Sequence, residues 1–419
     1  MGRQSHHRSG QGTLGWMLVS AVTIAAWSCA GAIPSDNRPS QASVPASGRL
    51  DASDLLSVRL ITSHPTQSLP IIRLGTSDEL TLQFEMETDV GRPWSIRFLP
   101  ATIDWEPSYE PEPETLPAPD ELFDYDTSNT NDFPYVHYEY TFPNQRVSFS
   151  RSGNYLMEVF DGRSGQTLFD RGFYITDDDI RVALDSNSWA LITDQPDELL
   201  PEARIDVPND PWVPAGEVEV RFLKNGWTNP VLASGQPKIE GATYIYTPAE
   251  PFPFTRTVFG VDLSDPTQIH QRDDITIPAT LDLFPDDYRF FREQYQLSSP
   301  VPRLSFSPYD PNQEYVQARF YLAKAPSGDA PHLTGSFNNW LIEPKYRMKW
   351  DAREGGYMLD LLLKNEEHFY AYYWDGEGLG PVSKFEGPNE VHFTALVYAK
   401  DTRYPTHRLW AVTSESISD

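Results

Sequence analysis

The chain has 419 residues, with a single cysteine, 33 basic against 60 acidic side chains, and a formal net charge of −27. A field of that sign repels phosphate backbones and disfavours lying on anionic lipid, so nucleic acid is a poor partner and any membrane contact must be made by a special segment. Apart from Cys29 there is no cysteine, so no intramolecular disulfide can form, no further thiol is available as metal ligand or nucleophile, and stability has to come from packing.

In chain order, residues 1–28 read as a secretory signal peptide: a polar start with Arg3 and Arg8, an apolar run over 14–27, then small residues. The run is shorter than the roughly 20 residues that span a bilayer as a helix. The string Ala26-Trp27-Ser28-Cys29 resembles a bacterial lipoprotein cleavage site, which makes Cys29 the expected lipidated N-terminus. Residues 29–53, rich in Ser, Pro, Ala and Gly, read as a flexible tether.

Aromatic residues and 37 prolines without any long helical period predict an all-β protein, made of two to three immunoglobulin-like or early-set β-sandwich units in tandem. The first unit is expected over 54–176, where alternating segments such as Leu80-Thr-Leu-Gln-Phe-Glu-Met86 and Tyr135-Val-His-Tyr-Glu-Tyr-Thr-Phe142 make about eight strands. Between Trp105 and Asn131 the alternation breaks into an acidic, proline-rich stretch, a long loop of the kind that carries binding functions on rigid sheets. A β-rich middle unit is expected over 177–298, interrupted by Pro237, Pro248, Pro251 and Pro253. A third sandwich is expected over 299–419, with seven strands between Tyr315 and Tyr398.

The usual signatures of catalysis are missing. There is no His-Glu-x-x-His, no Gly-x-Ser-x-Gly, no phosphate-binding glycine loop and no Asp-x-Asp-x-Asp-Gly calcium loop, so neither an enzyme nor a metal or other cofactor is expected. Asp177-Asp-Asp179, Asp273-Asp274 and Asp286-Asp287 are expected to be solvated turn carboxylates.

The string Leu333-Thr-Gly-Ser-Phe-Asn-Asn-Trp340 resembles the early-set modules that bind glycogen and starch. There Gly335 allows a tight strand exit, Asn338 and Asn339 hold the turn, and Phe337 and Trp340 complete the motif, with the Trp packing on the core. Where the sugar-binding members carry a lysine and a tryptophan this chain has Ala371 and Gly378, so the stacking platform is lost. A carbohydrate-binding envelope lipoprotein is therefore the alternative reading.

Six strings in order are similar to the plug protein of the type IX secretion system: Asp104-Trp-Glu-Pro-Ser108, Ser128-Asn-Thr130 with Tyr135-Val-His-Tyr138, Phe142-Pro-Asn144, Ser152-Gly-Asn-Tyr155, Gly335-Ser-Phe-Asn-Asn-Trp340 and Glu386-Gly-Pro-Asn389. The resemblance implies a non-catalytic periplasmic protein, anchored to the outer membrane by its N-terminal lipid, that closes the idle outer-membrane translocon barrel. Its expected contact residues are Trp105, Tyr109, Glu110, Glu112, Glu114, Tyr135 and Tyr138. For Trp105, His137 and Tyr138 a place inside the fold competes with that role.

Overall fold

The structure is a computed structural model and describes residues 53–62, 69–108, 116–130, 133–185, 198–207, 213, 216–253, 259–265, 267, 269–271, 278–287, 309–323, 329–374, 378–379 and 390–418. All of these fall within the compact unit Arg38–Asp419. The expected signal peptide, Cys29, the tether through residue 52, the loop positions Tyr109, Glu110, Glu112 and Glu114, Asp273 and Asp274, and the string at 386–389 lie outside the described residues.

The first sandwich has nine strands: β1 (Leu55–Thr62), β2 (Ile71–Arg73), β3 (Leu80–Met86), β4 (Trp94–Ala101), β5 (Asp120–Leu122), β6 (Tyr125–Thr127), β7 (Val136–Phe142), β8 (Gly153–Phe160) and β9 (Thr167–Thr176). One sheet runs β1-β3-β7-β6 and the other β2-β9-β8-β4-β5, antiparallel except where β2 joins β9. Alternation explains the pairing. Leu80, Leu82 and Phe84 of β3 and Val136, Tyr138, Tyr140 and Phe142 of β7 point inward to meet Trp94, Ile96 and Phe98 of β4. The Phe84 and Tyr138 rings stack at 4.5 Å, and Phe98 lies 5.0 Å from Phe142. Each such buried ring contributes about 1.5–3 kcal/mol.

The chain then enters a middle unit through β10 (Val182–Asp185), β11 (Glu198–Leu199), β12 (Glu202–Asp206), β13 (Val218–Lys224), β14 (Trp227–Ala233), β15 (Lys238–Glu240), β16 (Thr243–Tyr246) and β17 (Phe252–Pro253). It leaves that unit before closing it. β18 (Phe259–Asp262), β19 (Ile269–Gln271), β20 (Thr280–Leu283), β21 (Asp286–Asp287), β22 (Tyr315–Ala323), β23 (His332–Gly335), β24 (Lys349–Asp351), β25 (Gly356–Lys364), β26 (Glu367–Trp374) and β27 (Gly378–Leu379) form the third sandwich. Its sheets run β19-β20-β22-β25-β24, with β21 on β22, and β18-β26-β23, with β27 on β26.

The last strands, β28 (Glu390–Ala399) and β29 (Arg408–Ser418), return to the middle unit. β28 pairs with β13 in the register Val220↔Val397 and Phe222↔Ala395, completing the sheet β14-β13-β28-β29 over the sheet β10-β12-β16-β15. Phe393, Val397 and Trp410 thus share a core with Ile205, Phe222 and Tyr246, while Phe259, Val261 and Leu281 share one with Phe320, Phe337 and Tyr372.

This interleaving corrects the expected boundaries. Strands at 259–287, placed by the sequence reading in a middle unit over 177–298, belong to the third sandwich, and the strand at 390–398, placed in the third unit, belongs to the middle one. Period-2 alternation identifies a strand and its buried face but carries no information on which distant strand it pairs with. The all-β sandwich architecture is as expected, with no α-helix among the described residues.

Candidate functional site

Four of the six strings that single this chain out lie at two seams, one on each side of the first sandwich. The first seam lies against the third sandwich. On the face of the β1-β3-β7-β6 sheet away from the core, cross-strand partners are polar: Thr81 with Thr141 at 2.8 Å, Gln83 with Glu139 at 3.0 Å and Glu85 with His137 at 3.0 Å. The third sandwich covers the Glu85–His137 end of this face, while Glu139 stays exposed. Lys364 at the end of β25 reaches the Glu85 carboxylate at 2.5 Å, and the Tyr315 hydroxyl of β22 donates to the same group. Glu85, His137 and Lys364 are all buried.

Burial alone would raise the Glu85 pKa, but the His137 hydrogen bond, the Lys364 charge and the Tyr315 hydroxyl together pull it down to about 2. Around this carboxylate, the His137 ring stacks on Tyr309 at 4.1 Å, the Tyr135 hydroxyl donates to the Gln313 carbonyl at 2.9 Å, and the Lys364 ammonium stands 5.5 Å over the Tyr135 ring. The Asn129 amide donates to the Pro311 carbonyl at 2.8 Å, and at the rim Arg59 meets Glu366 at 3.4 Å.

The string Gly335-Ser-Phe-Asn-Asn-Trp340 closes the same seam. Asn338 holds the turn within the third sandwich, its Oδ1 accepting from the Gly335 amide at 2.9 Å and its Nδ2 donating to the Leu341 carbonyl at 2.9 Å. Gly335 permits the turn because a β-carbon there would lie 2.5 Å from both the Phe337 ring and the Phe369 carbonyl. Asn339 points the other way. In the left-handed region at φ 53°, which Asn tolerates, it accepts from the Leu60 amide at 3.0 Å and donates to the Leu60 carbonyl at 3.1 Å. One side chain thereby covers an open backbone position on edge strand β1. Asn339→Ala is expected to lower stability by about 1–3 kcal/mol in urea unfolding, because both Leu60 groups lose their partner and alanine is strained at positive φ.

The second seam lies against the middle unit, and Trp105 is at its centre. The corner 102–108 is held by the Trp105 amide on the Thr102 carbonyl at 2.9 Å and the Ser108 amide on the Pro100 carbonyl at 2.8 Å. Trp105 itself has φ 66°. Its ring covers Gly172 of β9, where a β-carbon would come within 2.5 Å of it, and meets Tyr174 edge-on at 5.0 Å. Leu223, Leu396, Tyr398 and Leu409 of the middle unit complete the cluster.

The string Ser152-Gly-Asn-Tyr155 lies alongside. Tyr398 donates to Asn154 at 2.8 Å, Ser152 and Arg408 both bind Asp177 at 2.7 Å, and Gly153 leaves room for the His407 carbonyl, which a β-carbon would approach to 2.8 Å. Asp177 is thus a joint residue and not the solvated turn carboxylate expected. In Phe142-Pro-Asn144, Asn144 Oδ1 accepts from the Arg146 and Val147 amides at 2.9 and 3.0 Å, which closes a local turn.

These positions correct three expected contact residues. Trp105, Tyr135 and Tyr138 are 3%, 1% and 1% exposed, so their rings pack inside the molecule and present no face to a partner. Trp340 is also covered, but on a small separate cluster with Ala371 and Tyr373 and not on the sandwich core. Ala371 is fully buried. Sequence reasoning missed Glu85, Lys364, Tyr309 and Tyr315, because a polar residue alternating with apolar ones looks the same whether water or another domain covers it.

Among the described residues no three His, Cys, Asp or Glu side chains gather as a metal site, and no helix is long and apolar enough to cross a membrane. A small pocket lined by Phe259, Val261, Leu283 and Tyr370 measures about 20 Å³.

Residues 55–177 match the family model described as the first domain of the type 9 secretion system plug protein, a span that coincides with β1 to β9. The fold is similar to a crystal structure of a hypothetical protein from Parabacteroides merdae ATCC 43184, with a TM-score of 0.73 and 18% identity over 88% of this chain and 98% of that one. No curated protein matches the chain.

Proposed function

We propose that this chain, whose first sandwich belongs to the type 9 secretion system plug protein family, is a non-catalytic plug that seats on the periplasmic opening of the outer-membrane translocon barrel and closes it while no cargo is present. The observation that carries this reading is the pair of buried seams. Closing a wide channel against water and ions requires a broad body that does not flex, and the first sandwich is fixed to both neighbours by side chains from the strings that resemble the plug family.

A seal of this kind buries on the order of 1,000 Å² or more. Three sandwiches held in register supply such a face, whereas sandwiches on free linkers would lose binding energy to ordering. Cys29, acylated, would anchor the protein to the outer membrane from the periplasmic side, with the segment to residue 53 as its tether. The test is electrical: the full chain is expected to reduce ion flow through the reconstituted translocon barrel.

A further inference from the structure

At the end of the first sandwich where β3 turns into β4 and β5 passes to β6, three large apolar side chains stand in solvent: Val90 at 70% exposure, Phe123 at 56% and Tyr125 at 41%. Tyr125 brings the Val90 turn and the segment 123–125 together. The Tyr125 ring lies directly on Gly91, where a β-carbon would come within 2.1 Å of it, and rests 5.6 Å from the buried Tyr138 ring. Val90 precedes that glycine, and Phe123 lies two residues before Tyr125.

The turn carrying Val90 is fixed. Arg92 donates its amide to the Tyr138 hydroxyl at 3.1 Å, pairs with Asp161 at 2.8 Å and lies 4.0 Å over the Trp94 ring. Of the two edges of the β1-β3-β7-β6 sheet, β1 has its Leu60 backbone covered by Asn339, while β6 has an exposed side chain at every position. Five exposed carboxylates, Glu87, Asp89, Glu121, Asp124 and Asp126, flank the apolar residues along the chain, and none makes a salt bridge among the described residues.

We propose that this tip is the anchor of a docking face for a protein surface that offers an apolar socket rimmed by Lys and Arg. Short, charged edge strands also protect sheets from pairing with other chains, and that role accounts for Asp124 and Asp126. It does not account for Val90 and Phe123, apolar groups that a solubility role would replace. A second copy of a chain with net charge −27 is repelled by the same carboxylates, as is an anionic lipid surface; a basic-rimmed protein is attracted. The apolar trio is too small to form a stable interface alone, so it serves as the central anchor of a wider contact. The assignment rests on the plug reading, under which the partner is the rim of the translocon barrel.

The test uses the immobilised full chain and detergent-solubilised outer membranes from a host with the secretion system, with the captured barrel identified and quantified by mass spectrometry. The double variant Val90→Lys/Phe123→Lys is expected to capture at least tenfold less barrel than wild type, and Phe123→Ser alone to fall in the same direction. Ile239→Lys, at a 59% exposed position of the middle unit, is expected to capture as wild type does. Circular dichroism is expected to be unchanged in all three. Raising salt from 50 to 500 mM is expected to weaken wild-type capture several-fold. Full capture by the Val90 and Phe123 variants, an equal loss in Ile239→Lys, or capture indifferent to salt overturns the docking face while the plug reading stands. A wild-type chain that captures no barrel overturns both.

Discussion

Replacing Lys364 with methionine is expected to destabilise the protein by about 3–5 kcal/mol in urea unfolding. The substitution takes the ammonium partner from the Glu85 carboxylate, 1% exposed, and leaves it the hydrogen bonds of His137 and Tyr315 alone, and breaking a buried ion pair by removing one partner costs about that much. The double variant Glu85→Gln/Lys364→Met is expected to recover most of the loss, because it removes the charge along with its partner. A double variant as unstable as Lys364→Met would show that the loss arises from packing of the lysine stem.

The same pair fixes the acid response. Glu85 is held near 2 in the folded protein against an ordinary 4.5, so its contribution, on the order of 3 kcal/mol, is fully present above pH 4.5 and disappears as pH falls from 4.5 toward 2. In Lys364→Met the folded-state value moves up, so stability should fall less steeply through that window. Parallel pH profiles for the two proteins would contradict the assignment.

Trp105→Ala is likewise expected to cost about 3–5 kcal/mol. It empties the centre of the second seam, where the ring is in contact with Gly172 and Tyr174 of the first sandwich and shares a cluster with Leu223, Leu396, Tyr398 and Leu409 of the middle unit. A local defect would lower only the unfolding midpoint. A joint defect should also expose the boundary between the units, read as faster proteolysis near the Asp177–Arg408 contact. Proteolysis unchanged from wild type would show that Trp105 packs without joining.

The strands were legible in the sequence wherever alternation was strong. Leu80-Thr-Leu-Gln-Phe-Glu-Met86 and Val136 to Phe142 place their apolar residues inward, as the period requires. The seams were not legible, for a physical reason. Gln83, Glu85, His137 and Glu139 occupy the face that a half-solvated sheet gives to water, and only the three-dimensional arrangement puts Lys364, Tyr309 and Tyr315 over Glu85 and His137.

Trp105 and Tyr135 illustrate the opposite failure. Aromatic residues beside an acidic loop look like partner anchors, but Gly172 and the Gln313 carbonyl receive them inside the molecule. The exposed apolar residues at Val90, Phe123 and Tyr125 had no sequence signal, because single apolar residues in turns are common on any surface. The interleaved middle and third units were invisible for a related reason: β28 reads as a good strand in either one.

The most direct test of the plug assignment is the conductance of the translocon barrel, purified from the host without this protein and reconstituted in a planar bilayer. Adding the full chain to the periplasmic side is expected to lower the single-channel current to near the leak level, with no effect from the opposite side. A current that is unchanged at saturating protein would contradict the proposal that this chain closes the channel.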